Sequence, residues 1–267
     1  MLRVLGVHGV GTYRYLRQAG SPGDAAVALA TDWFRHLGTA MPPDSAVDLH
    51  VAYYGHHVYS GFEEDAAQLL PGEREMLASW VGQFGPGLDP PGAADWLGQS
   101  YGPGTRLFGL AFARELHTYL GAAERREASI AAVADAVAAH RPDVIVAHSL
   151  GSVVAYETLW AHEEHEVDLL VTLGSPLAMP SVLDRLRPGG DAGRPPGVKR
   201  WVNLADVADI VAVPAGGLGT RIAGVDRDIP ITTGIWEFQT AGAYLRSPAV
   251  ADVIFDQAKP LTADSSR

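Results

Sequence analysis

The chain has 267 residues, 47% of them hydrophobic, and its 20 Lys and Arg against 31 Asp and Glu give a formal net charge of −11. That length and apolar content bury a large core, which excludes a disordered protein and fits one α/β domain with a sizeable insertion better than two independent domains. The negative charge repels phosphate polyanions and anionic membranes, which argues against nucleic acid as a partner, and the absence of cysteine excludes disulfides, a thiol nucleophile and thiolate metal sites.

The opening residues, MLRVLGVHGVG, predict a strand and a glycine turn in place of a charged start, apolar run and cleavage site. No run reaches the ~18 apolar residues that a membrane span needs, so the expectation is a cytoplasmic protein without a transmembrane segment. Leu2 to Val7 is the apolar strand, and it runs into His8-Gly9-Val10-Gly11, where glycines let the backbone bend with its N–H groups exposed. Asp24 to Leu37 has helical spacing in Ala25, Leu29, Trp33, Phe34 and Leu37, with Asp24 as its cap after Pro22-Gly23. Beyond the Met41-Pro42-Pro43 break, Val47 to Tyr54 alternates as a second strand. Strand, helix, strand in that order predicts a parallel, right-handed crossover.

From Gly55 to Leu120 glycine, proline and aromatics crowd together, with short helical stretches at Glu63 to Leu70, Glu73 to Trp80 and Leu107 to Leu120. So long an interruption between sheet strands predicts an inserted lid over residues 55–120 of a single domain spanning 1–267. Its aromatics suit mutual packing and substrate lining equally, because such side chains dominate cores and pockets alike. Glu124 to His140 is an amphipathic helix that delivers the chain to Asp143–Glu157, DVIVAHSLGSVVAYE. There a short buried strand (Val144 to Ala147) turns at His148-Ser149-Leu150-Gly151 into a helix carrying Val153, Val154, Ala155, Tyr156 and Leu159. A serine at the apex of such a turn has its hydroxyl lifted above the sheet with a helix N-terminus aimed at it. Val167 to Leu173 is a third buried strand ending in Gly174-Ser175-Pro176. A Gly- and Pro-rich loop covers Arg187 to Val198, and Trp201 to Leu204 begins a strand leading into Ala205-Asp206-Val207-Ala208-Asp209. Pro214 to Gly224 is irregular, Val225 to Ile231 is a last strand, and Ser247 to Gln257 is a closing helix.

The HGVG turn, AHSLGS at the apex, TLGSPL two elements later and WVNLADVADIV after that resemble the lipase/esterase-like branch of the α/β-hydrolases, over Val4 to Val213. The resemblance implies a mostly parallel central sheet with helices on both faces and an inserted helical lid. It implies Ser149 as nucleophile and Asp209 as the acid, with Asp206 as the alternative. The Leu150 N–H and one from the turn after His8, most simply that of Val10, would form the oxyanion hole. His8 resembles the family's oxyanion-turn histidine, and with Trp80, Phe84, Trp96 and Phe108 it is expected to line the substrate pocket. A hydroxyl needs a base to become nucleophilic, the base needs an acid to fix its tautomer, and the tetrahedral intermediate needs preorganised N–H donors.

The family pattern breaks at the base. All ten histidines lie at or before His165. In the segment Phe238-Gln239-Thr240-Ala241-Gly242-Ala243-Tyr244-Leu245, which resembles the family's last loop, the histidine position holds Gln239 or, with a shifted alignment, Ala241. Neither accepts a proton at neutral pH. His148 neighbours the serine, but adjacent side chains at a turn diverge, which points to packing or a structural hydrogen bond. His56 and His57 leave the second strand on the active-site edge as solvent-facing loop residues, and they lack the carboxylate partner of a metal site. Two functions stand at this point: a serine hydrolase of a small lipophilic ester or related acyl compound with an atypical or weakened triad, and a degenerate hydrolase fold that binds a small molecule or guides a non-hydrolytic step such as a cyclisation. Neither calls for a cofactor or a metal, both take a small-molecule partner, and the oligomeric state is left open.

Overall fold

Six strands account for the centre of the chain's computed structural model, which describes residues 1–61, 65–84, 87–212, 214, 216–234 and 240–256. They are β1 Leu2–Val7, β2 Val47–Ala52, β3 Val144–His148, β4 Val167–Leu173, β5 Val198–Asp206 and β6 Arg227–Ile231. All pair in parallel, in the order β2-β1-β3-β4-β5-β6. The chain therefore winds outward from β1 in both directions, and the crevice between the carboxyl ends of β1 and β3 is the topological switch point at which open α/β sheets collect ligands.

Strand side chains alternate between two apolar layers. Leu5, Val7, Ile145, Ala147, Leu170 and Trp201 face one; Val4, Val144, Val146, Leu169, Val171 and Val202 face the other. Burial on both faces is why these strands read as unbroken apolar runs, and each Val or Leu so buried contributes ~1.5–3 kcal/mol. Helix α2 Pro22–Leu37 covers the second layer through Leu29, Trp33 and Leu37, joined by α10 Ala241–Leu245 and α11 Pro248–Phe255. The cap of α2 is Ser21 and not Asp24: the Ser21 Oγ accepts the Asp24 N–H at 3.1 Å, which places Asp24 in the first turn, where its charge suits the helix dipole. A short helix, α1 Tyr13–Ala19, precedes it and has no counterpart in the sequence reading.

The other layer holds α7 Ala123–His140, α8 Leu150–Ala161 and the short α9 Pro180–Leu183, and the region from 55 to 121 continues it. That region contains α3 Gly55–Val58, a 3-10 turn at Ala66–Gln68, α4 Pro71–Val81, α5 Pro90–Tyr101 and α6 Pro103–Gly121. The helical expectation for Glu63 to Leu70 thus reduces to one turn among the described residues. His56 and His57 sit on α3, half-buried. Met76, Leu77, Trp80, Leu97, Phe112 and Leu116 of α4 to α6 belong to the same apolar cluster as Leu5, Val7 and Val153, so one core runs from the insertion into the sheet. Among the described residues no helix is long and apolar enough to cross a membrane.

Candidate active site

Ser149 caps α8 at the carboxyl end of β3 with φ 52° and ψ −128°, a conformation that costs a non-glycine residue ~1–3 kcal/mol and persists only where its surroundings enforce it. Those surroundings are specific. The Ser149 N–H donates to Leu173 O at 2.9 Å, tying the apex to the end of β4. The Ser152 hydroxyl donates to Ser149 O at 2.6 Å and lies 2.6 Å from Ser175 Oγ in the turn after β4. A Cβ on Gly151 would fall 2.3 Å from Val7 O, so only glycine lets α8 lie this close to β1. Gly9 abuts the apex, because a Cβ there would fall 2.8 Å from Ser149 Cβ and 2.9 Å from His148 Nδ1.

The Ser149 side chain is buried, and among the described residues its Oγ has no hydrogen-bond partner. The same is true of the buried His148 Nε2. Several other buried side-chain atoms, Tyr156 Oη on α8 among them, also lack a partner among the described residues, but His148 and Ser149 are the two that adjoin in sequence. Burial, with a smaller contribution from His8, lowers the His148 pKa to about 3, so its ring is neutral at pH 7.

His8 is fully engaged by the protein. Its Nε2 accepts the Tyr54 N–H at 3.1 Å, which assigns the hydrogen to Nδ1, facing Gly9 O at 2.8 Å and Thr12 Oγ1 at 3.1 Å; the ring stacks on Tyr54 at 4.2 Å. Burial lowers its pKa to about 4. Its geometry fixes the glycine turn. Glu115, projecting from α6, reaches the same turn, where its carboxylate accepts the Gly11 N–H at 3.0 Å. Burial raises the Glu115 pKa to about 7, partly offset by that N–H and by Arg114. Val10 sits within this braced turn, and Leu150 opens α8, where the first N–H groups of a helix lack intrahelical acceptors.

The two aspartates part company three residues apart. Asp206 ends β5 and is engaged by its own turn and by the segment after β6: Oδ1 accepts the Ala208 N–H at 2.7 Å, and Oδ2 accepts the Thr233 N–H and, at 2.8 Å, the Thr233 hydroxyl. Asp209 lies beyond the strand end, with Oδ1 accepting the Val211 N–H at 2.8 Å and Oδ2 accepting the Tyr244 hydroxyl at 2.6 Å. Its Oδ2 lies 2.5 Å from where a Cβ of Gly174 would stand. The end of β4 therefore touches Ser149 through Leu173, and the turn after it touches Asp209 through Gly174. Tyr244 also accepts the Asp206 N–H at 2.9 Å, and its ring is 5.8 Å from that of His148. Sequence reading gave Tyr244 no role, since a contact across 35 residues leaves no local spacing to find. Gln239, at the position of the missing histidine, lies outside the described residues.

The insertion's aromatics divide. Phe108 lines a cavity of about 420 Å³ with His8, Val10 and His148. Phe84 lines a second, of about 540 Å³, with Asp209 and Ile210. Trp96 stacks on Phe84 at 6.4 Å. Trp80 is core, its indole N–H donating 2.8 Å to Ile210 O, which moors the Asp209 loop to α4. No protein-family model matches the chain, and no curated protein is similar enough to it to count as a match. What the fold defines is an α/β protein with a parallel central sheet and a serine apex at its switch point.

Proposed function

We propose that the chain is a serine hydrolase of the α/β-hydrolase type, acting on a small lipophilic ester or related acyl compound. The observation that carries this reading is the Ser149 hydroxyl, buried and without a partner among the described residues, on a strained strand–helix apex. In this reading the Ser149 hydroxyl adds to the acyl carbon with its proton passing to water, and the carbonyl π pair moves onto the oxygen held by the Leu150 and Val10 N–H groups. Collapse expels the alcohol, which takes up a proton from water, and a second water releases the acid from the acyl-serine. Asp209, which abuts Gly174 in the turn after β4, takes the acid position, with Asp206, held by Ala208 and Thr233, as the alternative. Ser149 lines neither of the two cavities; this reading assigns the acyl and alcohol halves to the one beside its neighbour His148 and the one beside Asp209. Without a histidine after residue 165 the triad is incomplete, yet an oxyanion hole and binding alone sustain ~10³ to 10⁴-fold catalysis over water in enzymes stripped of a triad member.

That same absence favours the second reading, in which the pocket binds a small molecule or guides a cyclisation without hydrolysis. A fluorophosphonate probe separates the two. Slow covalent labelling, mapped to Ser149 and lost in Ser149→Ala, together with measurable turnover of an aryl ester, is the outcome expected of the hydrolase. No labelling of folded protein at any time leaves the binding role.

A further inference from the structure

At the far end of α8, some 12 residues and ~18 Å from the serine, the connection to β4 carries His162, Glu163, Glu164, His165 and Glu166. One candidate ligand atom from each of His162, Glu164 and His165 lies within 4.8 Å of the other two. His162 Nδ1 is 3.3 Å from Glu164 Oε1, and the two imidazoles stack with centroids 5.5 Å apart. The loop is held in this shape from both ends. His162 N–H donates to Thr158 O and His165 N–H to His162 O, each at 3.0 Å, while Gly197 packs so closely that a Cβ on it would meet His165 O at 2.0 Å. A second observation is independent of the clustering: His165 Nε2 is sheltered from solvent and has no hydrogen-bond partner among the described residues. A sheltered imidazole nitrogen without a partner calls for an explanation, and a bound ion supplies one.

We infer that His162, Glu164 and His165 bind a divalent transition-metal ion of the borderline class, with Zn²⁺ as the test ion. Two imidazoles and one carboxylate suit zinc, nickel or copper over magnesium or calcium, which prefer oxygen donors alone. Metal–ligand bonds of ~2.0–2.2 Å draw the three atoms closer than 4.8 Å, a closure that rotation of the exposed Glu164 supplies. Glu163 and Glu166 add negative charge beside the ion. Bound there, it clasps the end of α8 to the start of β4 and makes no contact with the serine site, so this inference stands apart from the hydrolase reading.

The test is isothermal titration of the untagged, chelator-treated chain with zinc chloride, with thermal unfolding alongside. One ion per chain is expected, with a Kd of about 10 μM or tighter and a rise in melting temperature. His162→Ala and His165→Ala should each weaken binding at least ~10-fold while melting like the parent in chelator. Glu164→Gln, at an exposed position, gives the same answer if a histidine variant fails to fold. His50→Ala, which alters a histidine pair elsewhere on the surface, should leave the titration unchanged. No binding heat up to about 1 mM zinc, or stoichiometric binding retained in His162→Ala/His165→Ala or in Glu164→Gln, overturns the site.

Discussion

One helix, α8, carries two buried polar regions that are built on opposite principles. At Glu157 every oxygen is answered. Arg126 forms a two-pronged ion pair with it, the Tyr119 hydroxyl donates at 2.6 Å and the Arg187 N–H at 3.0 Å. Eight residues earlier, Ser149 Oγ and its neighbour His148 Nε2 are buried with no answer among the described residues. A satisfied buried network rigidifies the fold, whereas an orphaned buried group is a cost that folding alone does not justify. The difference teaches where on this helix to look for stability and where to look for a ligand.

The sharpest way to break the contrast is to give Ser149 a partner. If Gln239 holds the place of the family's histidine, Gln239→His puts an imidazole between Ser149 and Asp209. Hydrolysis of an aryl ester should then rise by ~10² to 10⁴-fold, the range of general-base assistance. A folded variant with unchanged turnover would show that residue 239 is not the base position. The opposite manipulation strips Glu157. Glu157→Ala leaves the Arg126 guanidinium buried and uncompensated, and should cost ~3 to 5 kcal/mol in denaturant unfolding while fluorophosphonate labelling of the folded fraction is unchanged. A loss below ~1 kcal/mol would mean that the network is not the anchor its geometry describes.

The contrast was only half legible in the sequence. β1 and β4 match their expected bounds because strands buried on both faces are unbroken apolar runs. The serine apex was legible because strand, turn and helix follow one another within a dozen residues. Helix α5 was not, since prolines, glycines and aromatics dominate Pro90–Tyr101. Its start was nonetheless signalled by Asp89, whose side chain accepts the Gly92 N–H at 2.8 Å ahead of prolines in the first turn. Likewise α10 was missed although Thr240 caps it. The contacts that assemble the site span 35 residues from Tyr244 to Asp209 and 104 from Glu115 to Gly11, and no periodicity encodes them. The HEEHE run offered a further overlooked local signal, two histidines and a glutamate within four positions.

Tyr244 lies between the two extremes. It satisfies both aspartates at once, donating to Asp209 and accepting from the Asp206 N–H. Burial, followed by the charge of Asp209, pushes its pKa strongly upward, so the hydroxyl stays protonated and remains a donor at every workable pH. Tyr244→Phe keeps the ring beside His148 but removes both bonds, and should cost ~2 kcal/mol in stability. If Asp209 is the acid, the residual ester turnover should also fall in the folded variant. Turnover equal to the parent's would separate Asp209 from the chemistry.

The smallest effect belongs to Glu115, which is satisfied by one backbone N–H and still pays for its burial. Burial pushes its carboxyl up to about 7 in the folded chain, against the 4.5 of an ordinary glutamate. The folded state therefore holds a proton that the unfolded state has released, and stability falls as pH rises through that interval. The window runs from about 4.5 to about 7, with the loss complete above it. Between pH 6 and pH 8 this amounts to roughly 1 kcal/mol. Arg114 on the same helix, Gly11 on the facing turn, and Tyr53 and Tyr54 at the end of β2 are the groups around it. Glu115→Gln keeps an oxygen for the Gly11 N–H but has no proton to exchange. Its urea midpoint should be flatter than the parent's between pH 6 and 8, with the two curves diverging most at the alkaline end, where the parent is ionised. Parallel curves would show that the carboxyl is already ionised at pH 6. In that case the N–H from the glycine turn, and not burial, sets its charge, and the insertion grips that turn through a carboxylate at all pH values tested.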